Sequence, residues 1–282
     1  MAALNLWSPW QEYGLGVGDH LQVWAAIPAW QRANPGQPVR LAHQGYESVA
    51  ALYNWPGVEY IRADQHPDGY RHIWQASHGP PWWDWYAELG QPWDTKRLYY
   101  WPTDSERAYA DLVWGSERPR VLLQWTGGMA VKMYAYWPDV LHRLRVNVRG
   151  NVIVADWRES PDAPQECWRV GARLMPRCDL RLALAIAATA DLFVGFDSGP
   201  MYAALGCEVP SVGIFPVLPA SQLFHPIVTP RVVPLEAHPC NAIPPDHIVT
   251  AALQLLAGAQ PGDDATQFAE SPHRPPVLRQ PR

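Results

Sequence analysis

The stretch Asp191-Leu-Phe-Val-Gly-Phe-Asp-Ser-Gly-Pro-Met-Tyr-Ala-Ala-Leu-Gly-Cys-Glu-Val-Pro-Ser-Val-Gly-Ile-Phe215 has the residue types and spacing of a ligand-gripping unit. Leu192–Phe196 is a short apolar run of strand type, Ser198 and Gly199 are suited to cap and open a helix, and Val209–Phe215 is a second apolar run. A helix that starts where a strand ends aims its first N–H groups and the positive end of its dipole into the crevice beyond the strand, which favours an anion such as phosphate. Asp197 stands at the mouth of that crevice. Phosphate repels a carboxylate, so its natural partners are sugar hydroxyls or a cationic side chain, and the combination points to a phosphorylated sugar. The plain alternative is a strand–helix–strand unit with an incidental Asp-Ser-Gly turn.

Two other segments carry related chemistry. Thr126-Gly-Gly-Met-Ala-Val-Lys-Met-Tyr-Ala-Tyr-Trp-Pro138 follows an apolar run, Val121–Trp125. Small residues at Thr126 and Gly127 let backbone and hydroxyl donors approach phosphate oxygens, and the Lys132 ammonium can neutralise charge on a departing diphosphate. A surface lysine without a role is the alternative for Lys132. Gly14-Leu-Gly-Val-Gly-Asp-His20 is a glycine-rich turn before a helical pattern. Its spacing is not the dinucleotide fingerprint, and no conspicuous buried strand precedes it.

Taken in order, the three segments resemble glycosyltransferase family 9, the heptosyltransferase-like enzymes. The resemblance covers Gly14–Pro28 and Val121–Phe215. Asp197, Ser198 and Gly199 match the family's Asp-Ser/Thr-Gly, Ala203 and Ala204 keep its small helix face, and Tyr202 stands where the family usually has His. Either the Tyr202 hydroxyl replaces the imidazole as a hydrogen-bond donor, or this branch handles a different sugar. Lys132 lies five residues before Trp137, farther than the family's lysine commonly does.

Gly18-Asp19, followed by Ile27-Pro28-Ala29, matches the family's opening motif and gives Asp19 the role of general base. A sugar hydroxyl is a poor nucleophile near neutral pH, so a positioned carboxylate must take its proton as it attacks the anomeric carbon. The alternative for Asp19 is a helix cap. By the same resemblance Glu159 accepts hydrogen bonds from ribose hydroxyls, with Asp156 able to serve instead, and Cys178 contacts the base. A solvated loop carboxylate and ordinary packing are the respective alternatives.

The resemblance implies two Rossmann-like α/β domains facing a cleft, the glycosyltransferase B (GT-B) arrangement. It implies residues 1–116 as the acceptor domain and 117–257 as the nucleotide-sugar domain; residues 258–282, rich in Pro, Gln, Asp and Ser with little apolar content, are expected to be a flexible tail. The implied reaction is metal-independent, inverting transfer of a sugar, heptose by analogy, from a nucleoside-diphosphate donor such as ADP-heptose to a hydroxyl acceptor. The nucleotide-sugar is then a substrate, and no cofactor is expected. A transferase for another nucleotide-sugar and a non-catalytic sugar-nucleotide or glycan binder stay open. The glycan or other acceptor is not legible here.

Composition narrows the classes. A chain of 282 residues suits two modest α/β domains, and a formal charge of −5 disfavours a large nucleic-acid footprint. The four cysteines, Cys167, Cys178, Cys207 and Cys240, form no Cys-x-x-Cys pair, and the ten histidines form no metal motif. No window reaches the roughly 20 apolar residues of a membrane span, and the first residues lack a basic leader, so a cytoplasmic protein is expected. The aromatics Trp82, Trp83, Trp85, Tyr86, Trp93, Tyr99, Tyr100 and Trp101 supply either a sugar platform or core.

Alternation of helix and strand patterns predicts a parallel α/β sheet in each half. In the first half the pattern predicts helices over 19–33, 47–53 and 104–115 and strands over 39–42, 58–61 and 72–75. In the second it predicts strands over 121–125, 151–155, 192–196 and 209–215 and helices near 138–145, 180–190 and 246–257.

Overall fold

Short apolar runs bounded by turn residues become parallel strands in this chain, and the intervening amphipathic segments become the helices that cover them. The computed structural model describes residues 3–8, 17, 18, 21, 26–43, 57–63, 65, 67–72, 100, 102–223 and 232–258. Four strands, β1 (Leu4–Ser8), β2 (Val39–His43), β3 (Val58–Arg62) and β4 (Arg71–His72), form one parallel sheet in the order β3-β2-β1-β4. Helix α1 (Ala26–Ala33) lies between β1 and β2 in the chain. β1 is a correction to the sequence reading, because a buried strand does precede the glycine-rich turn: Leu4, Leu6 and Trp7 are all in the core. Asn5 and Ser8 interrupt its apolar pattern, and with only five residues it gives little periodic signal.

The second sheet has the order β10-β9-β8-β5-β6-β7, every neighbouring pair parallel. Its strands are β5 (Arg120–Gln124), β6 (Asn151–Ala155), β7 (Arg173–Leu174), β8 (Leu192–Phe196), β9 (Ser211–Phe215) and β10 (Val232–Glu236). β5, β8 and β9 are buried along their whole length, as expected of parallel strands with helices on both faces. The helices are α2 (Asp104–Trp114), α3 (Trp137–Asn147), α4 (Asp162–Val170), α5 (Leu180–Ala188), α6 (Gly199–Gly206), α7 (Ala220–Leu223) and α8 (Pro245–Leu256).

The expected second-half elements fall within a few residues of their observed bounds, and four others, α4, β7, α7 and β10, escaped expectation. α4 carries Pro164 in its first turn, where a missing N–H costs nothing, and buries only Ala163 and Cys167, too few for a visible stripe. β10 contains Pro234, which is tolerated because the strand lies at the sheet edge. The expected helix over 47–53, the aromatic stretch before Tyr100 and the tail beyond residue 258 lie outside the described residues.

α2 packs against α5, in the helix layer of the second sheet. Its first turn is closed by a capping box: the Thr103 hydroxyl accepts from the Glu106 N–H at 3.3 Å, and the Glu106 carboxylate accepts from the Thr103 N–H at 2.7 Å. Arg181 of α5 reaches the same carboxylate, with Nη2 at 2.7 Å and Nε also donating. Tyr100 donates to the Arg181 carbonyl at 2.9 Å, and the Trp114 indole N–H donates to the Ile186 carbonyl at 3.1 Å. Burial alone would raise the Glu106 pKa, but the Arg181 and Thr103 donors outweigh it and hold the carboxyl below its ordinary value. A depressed acid stabilises the fold above its unfolded pKa, about 4.3 for Glu, and loses that contribution as pH falls through the folded value. Glu106→Gln keeps an acceptor but removes the charge, and is expected to destabilise the protein by about 2 kcal/mol near pH 7. Urea melts of both proteins should converge in acid; a pH-independent difference would sink the ion-pair account.

Candidate active site

In the second sheet the strand order reverses between β5 and β8, and open α/β sheets bind ligands at the carboxyl ends of the strands at such a point. Thr126 and Gly127 follow β5, Asp156 follows β6, and Asp197 and Ser198 follow β8. The chain after β5 folds back on itself at once. Gly127 N–H donates to the Lys132 carbonyl at 3.0 Å, Lys132 N–H donates to the Met129 carbonyl at 3.0 Å, and Thr126 bridges Met133. A Cβ on Gly127 would stand 2.4 Å from the Lys132 Cβ, so the turn requires glycine. This compact loop absorbs the wider spacing before Trp137. Tyr134 anchors it by donating to the Ile243 carbonyl at 2.6 Å, and its ring stacks edge-on against Trp137, which does the same against Phe196 at the end of β8.

The fold-back delivers the Lys132 ammonium to Asp197. Nζ donates to the Asp197 backbone carbonyl and to Oδ2 at 3.2 Å, with both side chains largely buried. The Tyr202 hydroxyl donates to the other carboxylate oxygen, Oδ1, at 3.0 Å. Both oxygens of Asp197 are thus held by donors, one charged and one neutral. Asp197 has the cationic partner expected of it, and the tyrosine performs hydrogen-bond donation from the position where the family usually has His.

Ser198 is the N-cap residue of α6, yet its side chain makes no capping bond, which corrects the expectation that it caps the helix. Its single hydroxyl proton is shared instead between Gln124 Oε1 at 2.6 Å and the Phe196 carbonyl at 2.9 Å. Sequence reading missed Gln124. Its one signal was a polar residue inside the apolar run expected over 121–125, and that residue is 1% exposed.

Asp156 and Glu159, the alternative ribose ligands, differ in their surroundings. Thr126 donates to Asp156 Oδ1 at 2.8 Å, and the Ser160 hydroxyl donates to the same oxygen at 3.2 Å, so Asp156 braces the loops after β5 and β6. Glu159 is exposed at a left-handed φ of 53°, paired with Arg177 at 2.6 Å. Cys178 is partly buried against the core beside Tyr109, and its thiol is pushed up by burial first and by Asp179 second.

Asp19 and His20 lie outside the described residues, but Val17 and Gly18 meet the site directly. A Cβ on Gly199 would come within 2.6 Å of Val17 Cγ1, and one on Gly18 within 3.1 Å of the Tyr202 ring. Two segments remote in sequence are therefore packed with no room for a methyl group at Gly199 and little at Gly18. Among the described residues no group of three or more His, Cys, Asp or Glu is placed to hold a metal ion, and no helix is long and apolar enough to cross a membrane.

The family model described as "Glycosyltransferase family 9 (heptosyltransferase)" matches residues 96–238, which include every element of the switch-point site. The chain belongs to glycosyltransferase family 9. It is accordingly a glycosyltransferase of the heptosyltransferase-like group. Several solved structures share its fold, among them the following three. The family 9 glycosyltransferase from Veillonella parvula DSM 2008 is 13% identical with a TM-score of 0.68, over 92% of this chain and 98% of that one. ADP-heptose lps heptosyltransferase II from E. coli is 12% identical with a TM-score of 0.63, over 90% and 99%. The E. coli heptosyltransferase WaaC, solved with ADP-2-deoxy-2-fluoro heptose, is 11% identical with a TM-score of 0.56, over 90% and 99%. No curated protein sequence matches the chain. The two parallel sheets are those of the GT-B-like fold of this family.

Proposed function

We propose that this protein transfers a sugar, heptose by analogy with its relatives, from a nucleoside-diphosphate donor to a hydroxyl acceptor by an inverting displacement that needs no metal. The observation that carries the reading is the meeting of Lys132, the Thr126-Gly127 turn and the Asp197-Ser198-Gly199 start of α6 at the switch point between β5 and β8. In this reading residues 117–257 hold the donor and residues 1–116 the acceptor. The diphosphate lies at the first amides of α6 and the Thr126-Gly127 turn, Asp197 and Tyr202 face the sugar, and Glu159 and Cys178 serve the ribose and base.

The acceptor oxygen attacks the anomeric carbon as Asp19 removes its proton. The bond from that carbon to the diphosphate oxygen breaks on the opposite face, and its electron pair leaves with the nucleoside diphosphate. Lys132 and the helix amides stabilise the charge that grows there. Gly18, one peptide bond from Asp19, rests on Tyr202 and so supports placing the base beside the donor sugar.

The test is transfer from a panel of nucleotide-sugars, ADP-heptose included, assayed in excess EDTA. Turnover is expected to survive chelation. Abolition by EDTA with rescue by Mg²⁺ or Mn²⁺ would overturn the metal-free mechanism and make Asp156 and Glu159 the first ligands to examine. Removing Asp197 should separate sugar from phosphate recognition. Asp197→Ala is expected to weaken the intact nucleotide-sugar by about 10- to 100-fold, the worth of hydrogen bonds to a charged group, and the bare nucleoside diphosphate much less. Equal losses in calorimetry would place Asp197 outside the sugar subsite.

A further inference from the structure

We propose that Gln124 is a positioning residue of the donor site: it holds the Ser198 hydroxyl away from the first turn of α6, so that this turn keeps its amides for phosphate. The inference rests on the donor reading above. A serine at the N-cap ordinarily accepts a hydrogen bond from the second or third helical N–H. In α6 the second position is Pro200, which has no N–H, so Met201 is the one amide Ser198 can cap. It does not cap it.

The reason is Gln124. Its Nε2 donates to the Thr126 carbonyl at 2.9 Å, which can only accept, so Oε1 must face Ser198 and must itself accept. The Ser198 hydroxyl therefore turns its single proton to Gln124, at 2.6 Å, sharing it with the Phe196 carbonyl at 2.9 Å. The neighbouring strand is shaped for this arrangement: a Cβ on Gly195 would lie 2.6 Å from the Gln124 Cβ. One buried amide thus joins the loop after β5 to the loop after β8 across the switch point. Were Ser198 free to cap, its oxygen would hold the Met201 amide, and an incoming phosphate would have to displace it.

Gln124→Met keeps the volume and removes both polar ends. In the ligand-free variant, hydrogen exchange at the Met201 amide should slow about fivefold or more as Ser198 caps the helix. Calorimetry with ADP should show Kd rising about five- to tenfold, the usual worth of a cap. In a Ser198→Ala background, which has no hydroxyl to release, adding Gln124→Met should cost no further affinity. Gly195→Ala, which crowds Gln124 from β8, should reproduce the pattern if the methionine variant folds poorly. Unchanged Met201 exchange overturns the proposal, as does an equal affinity loss with and without the Ser198 hydroxyl, since packing alone predicts that. If the wild-type protein binds neither ADP nor another nucleoside diphosphate, the donor reading falls first, and the failure is recognisable because the unmutated protein shows it.

Discussion

Asp19→Asn is expected to lower turnover about 10²- to 10⁴-fold, the range attached to a general base, while binding of the nucleotide-sugar stays near that of the wild type. Asparagine has the size of aspartate and caps a helix about equally well, so the substitution spares any capping role and removes only the capacity to accept a proton. On the proposed mechanism the donor is held by residues of the second half and Asp19 acts on the acceptor hydroxyl, so the loss is expected in kcat rather than in donor affinity. Steady-state kinetics at saturating donor, with a calorimetric titration of the same variant, separate the two. The variant should also lose the acid limb of the kcat/KM profile that the wild type shows as its base protonates. Turnover near the wild-type value would remove Asp19 from the mechanism and leave it as the cap.

The second sheet was readable from sequence because each of its central strands is a short, mainly apolar run closed by turn residues. Leu192–Phe196 and Asn151–Ala155 have the expected bounds, as a strand buried on both faces should. What escaped reading was set by tertiary context. β10 carries a proline that only an edge position excuses, and α4 buries two small residues that give no stripe. The site shows the same division. That Asp197, Ser198, Gly199 and Lys132 belong together in one candidate site was legible, because their types and turns suit anion and sugar chemistry. Their wiring was not: Ser198 looked like a helix cap because its type and position favour one, and the glutamine that diverts it lies 74 residues earlier in the chain. Tyr202 likewise differs from the family's usual residue, and the fold makes it a donor to the carboxylate that Lys132 also holds.

Lys132→Ala is expected to depress turnover about 10²- to 10³-fold, the cost of removing a donor aimed at developing charge, with a smaller loss of donor affinity. Lys132 is held close to Asp197 by the Gly127 turn, so its ammonium stands ready without reorganisation. Charge on the departing diphosphate oxygen grows as the glycosidic bond breaks, and an interaction that strengthens along that path acts on kcat. A rival role exists, because the same ammonium orients Asp197. The two are separable by a double-mutant cycle. If Lys132 acts only through Asp197, removing it from an Asp197→Ala protein should cost nothing more. If it stabilises the leaving group, most of its effect on turnover should persist in that background, while the intact nucleotide-sugar binds equally weakly with and without it. A cycle in which the lysine has no effect once Asp197 is gone would reassign Lys132 from the chemistry to the positioning of the Asp197 carboxylate.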